Sequence, residues 1–266
     1  MTEPSVLIPV APGTNRDGEL AVAFEAAGAR TARIPLEALR QGEAKLHDHQ
    51  ILALPGGFSY GDALGAGRLL GLDLLTWFAD ELAHARQREM PIIGICNGFQ
   101  ALVRAGLLPG SDDEAADTAR PGRDAGPAAT LATNANGRFE CRWVELLLGS
   151  ASSPWLDGVD GPLRCPVAHG EGRFVADDLS ALQSGDRIAL RYGDGRGEPA
   201  SGIYPANPNG SPDDVAGIVD ASGLVLGMMP HPEDHVVARQ DPARRRQGGG
   251  SCLELFRAGV RAVSDG

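Results

Sequence analysis

Hydrophobic and polar positions along this chain switch between two periods. Residues 5–10, 51–54 and 91–95 are short, nearly continuous apolar runs, and such runs predict buried strands, while residues 29–34 suggest a further strand. Between them, residues 19–27 and 69–86 carry apolar side chains at helical spacing, and Gly28 closes the first of these stretches. Asn15 or Asp17 is placed to cap that first helix. Residues 100–105 continue the 91–95 run with helix formers. Strands alternating with helices across short connections predict a mostly parallel central sheet with helices on both faces. Further on, residues 139–148, 163–168, 187–192, 217–219 and 223–229 read as strands, and 252–263 as a last helix. Residues 111–130 are rich in Ala, Asp, Gly and Pro without apolar period, and are expected to form a surface loop. Residues 238–250 hold Arg244-Arg245-Arg246 and Gly248-Gly249-Gly250 and read as a second loop, the arginines solvated.

Composition narrows the class. A formal net charge of −11 over 266 residues argues against non-specific nucleic-acid binding. No long apolar segment and no signal peptide are evident, so a cytoplasmic protein is expected, with no membrane partner. The four cysteines follow neither metal-ligand nor disulfide-framework spacing.

One stretch stands out chemically. In Gly94-Ile95-Cys96-Asn97-Gly98, a reactive side chain sits between glycines two residues away on each side, at the junction of a strand and a helix. That is the spacing of a nucleophile elbow with cysteine in the place of serine. The glycines remove side chains that would clash at the strained turn, and the following helix points its N-terminal amides at the sulfur. A buried structural cysteine is the alternative. Such a nucleophile needs a base and an orienting group. Of six histidines, His231 follows an apolar strand between Pro230 and Pro232, with Glu233 two residues on. His47, His49 and His84 lie in helical or polar surface contexts and read as solvated, and His235 is a weaker candidate. Gly56-Gly57 follows the 51–54 strand, and both strand ends open on one crevice in a parallel sheet. A simple tight turn is the other reading of that glycine pair.

Together, Gly94-Ile95-Cys96-Asn97-Gly98-Phe99-Gln100 and Pro230-His231-Pro232-Glu233 resemble a class I, triad-type glutamine amidotransferase. More narrowly, Pro12-Gly13-Thr14-Asn15, Leu54-Pro55-Gly56-Gly57-Phe58-Ser59-Tyr60-Gly61-Asp62, Phe139-Glu140-Cys141-Arg142-Trp143 and Ala168-His169-Gly170-Glu171-Gly172-Arg173 resemble the glutaminase subunits of phosphoribosylformylglycinamidine synthase. The resemblance implies a flavodoxin-like α/β fold forming one amidotransferase domain over residues 1–266, with insertions near 111–130 and 238–251. It implies Cys96 as nucleophile, His231 as base and Glu233 as orienter. It places glutamine among Gly56, Gly57, Asn97, Gln100, His169, Gly170 and Glu171, with the amides of Gly57 and Asn97 as oxyanion donors. It implies hydrolysis of glutamine, with the ammonia passed to a large synthetase subunit acting on formylglycinamide ribonucleotide, and a small bridging subunit beside it. The chain has no phosphate loop, dinucleotide fingerprint or metal-ligand cluster, so no cofactor is expected on it, and ATP and Mg belong to the synthetase. The aromatic stretch 139–143 is a candidate surface for that partner. Gly65-Ala66-Gly67-Arg68 departs from the charged pairing expected after Gly61-Asp62. Other class I glutaminases and a non-catalytic scaffold remain as alternative readings.

Overall fold

The computed structural model describes residues 3–110, 128–242 and 252–264. The insertion expected at 111–130 lies outside them up to 127, as do the three arginines and three glycines near the end. Ala129 and Thr130, expected in that loop, instead open a strand.

Nine strands form one sheet in the order β2-β1-β3-β4-β11-β10-β9-β6-β7. Its first five strands are β2 (Arg30–Pro35), β1 (Ser5–Val10), β3 (Ile51–Leu54), β4 (Ile92–Ile95) and β11 (Val225–Met228), and neighbours among them run parallel. β3, β4 and β11 are buried along their whole length, which is why they read as unbroken apolar runs rather than alternating ones. The sheet continues antiparallel through β10 (Val215–Val219), β9 (Ile188–Gly193), β6 (Glu140–Leu148) and β7 (Leu163–His169). β5 (Ala129–Ala132) and β8 (Arg173–Ala176) form a separate antiparallel pair.

The helices are α1 (Asp17–Ala26), α2 (Leu36–Arg40), α3 (Arg68–Thr76), α4 (Ala79–Gln87), α5 (Asn97–Arg104), α6 (Leu179–Ser184) and α7 (Leu253–Ala262). Three details differ from the sequence reading. The single helix expected over 69–86 is two, broken at Trp77-Phe78. Phe78 turns inward and is buried, while Trp77 turns out beneath the guanidinium of Arg40, 3.7 Å from its ring centre. Neither Asn15 nor Asp17 caps α1; Arg16 takes that position, and Asp17 accepts from Arg33 at 3.1 Å. His47 and His49 are half-buried rather than solvated, and the His47 and His84 rings meet edge to face at 4.8 Å.

α1 and α7 pack through Phe24, Phe256 and the buried Trp155, whose ring would collide with any Cβ at Gly259. Among the described residues no helix is long and apolar enough to cross a membrane. What this frame provides is a common edge. β1, β3, β4 and β11 all end on the same side, and the chain turns past Thr14, Gly56, Cys96 and His231 there, where ligands of parallel sheets bind.

Candidate active site

β4 enters the elbow fully buried, and Cys96 sits at φ +51°, ψ −103°, a strained conformation for a residue with a side chain. What holds it is backbone packing. The Cys96 amide donates to Met228 O at 2.8 Å, and Gln100 N donates back to Cys96 O at 3.0 Å as α5 begins. A Cβ on Gly98 would stand 2.2 Å from Leu54 O, and one on Gly94 would stand 2.7 Å from the Gly98 carbonyl carbon. Both glycines are therefore required by close approach of main chain, as the spacing predicts. The thiol rests against Ala168 O at 3.7 Å.

His231 follows β11, and its amide is anchored to Pro166 O at 2.8 Å. Its Nδ1 lies 2.7 Å from Glu233 Oε1; a carboxylate only accepts, so the ring donates from Nδ1. That leaves Nε2 as the free ring nitrogen; it is buried and has no hydrogen-bond partner among the described residues. Burial opposes charging the ring, but the Glu233 carboxylate and Cys96 together outweigh it and raise the His231 pKa well above 6.5. Both side chains of the pair are at most 2 % exposed, so little solvent screens them. A Cβ on Gly56 would lie 2.7 Å from His231 Cε1 and 3.5 Å from Cys96 Cβ. The structure thus brings Cys96, His231, Glu233 and Gly56 to one place. His235 does not join them. It is buried with Nδ1 on the Arg164 carbonyl, beside Cys252, whose thiol is lowered to about 7 chiefly by a hydrogen bond from Cys165, with His235 adding to it.

The loop after β3 wraps around this centre and locks into the loop after β1. Gly57 has φ +126° and bridges Thr14; a Cβ there would meet Asn15 N at 2.7 Å. Tyr60 N donates to Pro12 O at 2.5 Å. Asn97, expected to contribute its amide, also uses its whole side chain. Its Oδ1 accepts from Ser59 Oγ at 2.5 Å, and its Nδ2 donates to Asp62 Oδ1 at 3.2 Å and Gln100 Oε1 at 3.1 Å. Gln100 Nε2 then donates to Glu171 O at 2.6 Å, while Glu171 Oε2 accepts from Ala66 N at 3.3 Å. Burial, and then the like charge of Glu171, raise the Asp62 pKa.

His169 is buried, with Nδ1 3.1 Å from Asn134 Oδ1; that oxygen also accepts from Gly172 N at 3.0 Å. Burial and the neighbouring His231 lower its pKa to about 4, which keeps the ring neutral. Gly170 O accepts from Asn134 N at 2.9 Å, so one asparagine fixes the whole 169–172 turn. Sequence reasoning passed over Asn134, Ser59 and Asp62 as site residues. The last two stand inside the motif that carries the resemblance, which was the available signal; Asn134 offered none. Phe139, on the candidate partner surface, is 53 % exposed and lies beside Gly170. Among the described residues no group of three or more His, Cys, Asp or Glu side chains is arranged to hold a metal ion.

Comparison with known proteins identifies the family. Over residues 3–263 the chain matches the profile of the CobB/CobQ-like glutamine amidotransferase domain. It is 44 % identical to a phosphoribosylformylglycinamidine synthase subunit PurQ of Treponema denticola, covering 98 % of this chain and 99 % of that one. The same-named protein of Methanococcus maripaludis is 37 % identical, covering 90 % and 85 %. Among solved structures, a chain of PurLQS from Thermotoga maritima superposes with a TM-score of 0.72 at 30 % identity, covering 98 % of this chain and 99 % of that one. The chain belongs to the CobB/CobQ-like glutamine amidotransferase family.

Proposed function

We infer that this chain is the glutaminase subunit of a phosphoribosylformylglycinamidine synthase. It hydrolyses glutamine to glutamate and ammonia. A large synthetase subunit then uses the ammonia and ATP to convert formylglycinamide ribonucleotide to formylglycinamidine ribonucleotide in de novo purine biosynthesis. The observation that carries the reading is the buried His231–Glu233 pair facing the Cys96 elbow, in a chain similar end to end to proteins of that name.

In this mechanism His231 Nε2 takes the Cys96 proton as Sγ attacks the glutamine carboxamide carbon. The tetrahedral oxygen is received by the amides of Gly57 and Asn97. His231 returns its proton to the departing ammonia, leaving a glutamyl thioester, and then deprotonates the water that releases glutamate. Glu233 keeps Nδ1 protonated and stabilises the charged ring, so that Nε2 always faces the sulfur. Gln100, His169, Gly170 and Glu171 shape the glutamine pocket. The chain needs no cofactor for amide hydrolysis; ATP and Mg are assigned to the synthetase, and a small bridging subunit completes the assembly. A cytoplasmic location fits a biosynthetic enzyme of this kind.

The test uses the complex with the synthetase. Cys96→Ala is expected to abolish glutamine-dependent product formation while free ammonia still supports it, and retained glutamine use would refute the nucleophile assignment. Glutamate release by the chain alone, compared with the complete mixture of synthetase, formylglycinamide ribonucleotide and ATP, checks the partnership. The complete mixture is expected to be about a hundredfold faster, because a shift of about 1 Å in the Gly57 loop misplaces the oxyanion donor.

A further inference from the structure

We propose that Cys165 and Cys252 form a second thiol site, a redox pair behind the catalytic triad that a hydroperoxide converts to a disulfide. Glutamine hydrolysis is expected to fall when the pair closes. Only that activity readout rests on the glutaminase reading; the site itself does not.

Three observations carry it. First, the two thiols meet although they stand far apart in the chain. Cys165 lies in β7 and Cys252 immediately precedes α7; both are free and fully buried, and their side chains share a hydrogen bond. Main chain fixes the meeting. Cys252 N donates to His235 O at 2.6 Å, and Cys252 Sγ donates to Arg164 O at 3.6 Å. That same carbonyl receives Nδ1 of His235.

Second, the two sulfurs are unequal. His235 hydrogen-bonds Cys252 and joins Cys165 in lowering its thiol to about 7, while burial pushes the Cys165 thiol well up. One sulfur is thus a ready nucleophile and the other a thiol placed to resolve it. Cys165, Cys252 and His235 are not arranged to hold a metal ion.

Third, the pair adjoins the supports of the triad. Pro166, next to Cys165, supplies the carbonyl that anchors the His231 amide at 2.8 Å. His235, which holds the Cys252 amide, ends the short turn Pro232–His235 that carries Glu233. Non-bonded heavy atoms rest about 3.5–4 Å apart, and bonded sulfurs about 2 Å. Closing that gap draws β7 and the turn together, and moves the anchors of His231 and Glu233 relative to Cys96.

The chemistry balances with hydrogen peroxide as oxidant. Cys252 Sγ attacks one peroxide oxygen, the O–O bond breaks, and the departing hydroxide takes the thiol proton and leaves as water. Cys165 Sγ then attacks the resulting sulfenic sulfur. The S–O bond breaks, and a second water leaves with the Cys165 proton. Two electrons pass from the thiols to the peroxide. Burial selects a small neutral oxidant, and entry falls at Cys252, because helix ends open more readily than strand interiors.

The experiment treats the full-length wild-type and Cys165→Ala chains with hydrogen peroxide, quenches with catalase, and assays glutamate release in the complex. Non-reducing peptide mapping of the wild type is expected to show Cys165 linked to Cys252 with two hydrogens lost, reversed by a dithiol. Peroxide also reaches Cys96, but alike in both chains, so the difference between them reads the pair. The wild type is expected to lose about tenfold more activity than Cys165→Ala, within the range of a misplacement of about 1 Å, and a dithiol recovers that difference. A map without the Cys165–Cys252 link, at peroxide levels that oxidise Cys96, overturns the proposal. Equal losses in the two chains overturn it as well. An untreated wild-type complex that releases no glutamate from glutamine would instead refute the glutaminase reading, and the peptide map would still judge the pair.

Discussion

The elbow at residues 94–98 and the rim at residues 57–68 border the same reaction centre, yet they are held by different physics. At the elbow, main chain lies against main chain. Gly98 has its Cβ position 2.2 Å from the Leu54 carbonyl oxygen, and the residues around it are buried. At the rim, side chains carry the geometry. Tyr60, Gly61 and Asp62 all have positive φ, and Asn97 is the clasp that joins them to α5. A packed backbone is stiff and has one arrangement, whereas a clasp of hydrogen bonds holds a strained loop that other contacts can re-aim. The Cys96 turn is thus preset, and the rim is the part that other contacts can re-aim.

The sharpest way to break this contrast is to add one methyl group to each region. Gly98→Ala drives a Cβ into backbone and is expected to destabilise the chain by about 3 kcal/mol or more, or to prevent folding. Gly61→Ala has nothing within 4 Å of its Cβ and carries only the left-handed penalty at φ +63°, about 1–2 kcal/mol. Urea unfolding of the two variants measures the difference, and equal losses would show that the elbow is no stiffer than the rim.

Next come the groups that act on the proton. His231→Ala is expected to reduce glutamine turnover nearly as far as Cys96→Ala, since members of one catalytic unit do not act additively. Glu233→Gln keeps a partner for Nδ1 but removes the charge that raises the ring's pKa, and a smaller loss, about a hundredfold in kcat, is expected. A ranking with Glu233→Gln more damaging than His231→Ala would reverse the assigned roles. Ser59→Ala removes one hydrogen bond from the clasp, worth about 1 kcal/mol, so glutamine turnover should fall only by about fivefold. If the rim is the tunable side, that loss should be larger in the isolated chain than in the complex.

Much of this was legible in the sequence because backbone constraints write themselves into residue type. Gly94, Cys96 and Gly98 spell the elbow, and the buried parallel strands appear as apolar runs. His231 and Glu233 were legible for a related reason: they stand two residues apart across Pro232, whose ring restricts the backbone of the short turn in which they meet. Contacts made across the fold were not legible. Asn134 reaches His169 over 35 residues and Ser59 reaches Asn97 over 38, and no local pattern announces either. The break at Trp77-Phe78 was hidden for the same reason, because Arg40 on another helix is what holds Trp77 outward.

The smallest expected effect concerns His169 and is seen only as a slope. Its folded pKa, about 4, lies below the 6.5 of the free side chain, first through burial and then through the field of His231. Near pH 6.5 the unfolded chain takes up a proton that the folded chain refuses until about pH 4. The contribution of a neutral His169 to stability is therefore complete above 6.5 and is lost as pH falls through that window. Between pH 7.5 and pH 5 the loss amounts to about 2 kcal/mol on this linkage. His231 works in the opposite direction, since its pKa is raised; its contribution is complete below 6.5 and disappears only as pH rises above that value. The two windows adjoin rather than overlap. Asp62 and Asp234, whose pKa values are raised as well, are common to wild type and variant and cancel in the comparison. Unfolding free energies measured at pH 7.5 and pH 5 should accordingly fall more steeply for wild type than for His169→Asn, by about 2 kcal/mol. Parallel slopes would mean that His169 is protonated in the fold without penalty, and that Asn134 clamps an imidazolium rather than a neutral ring.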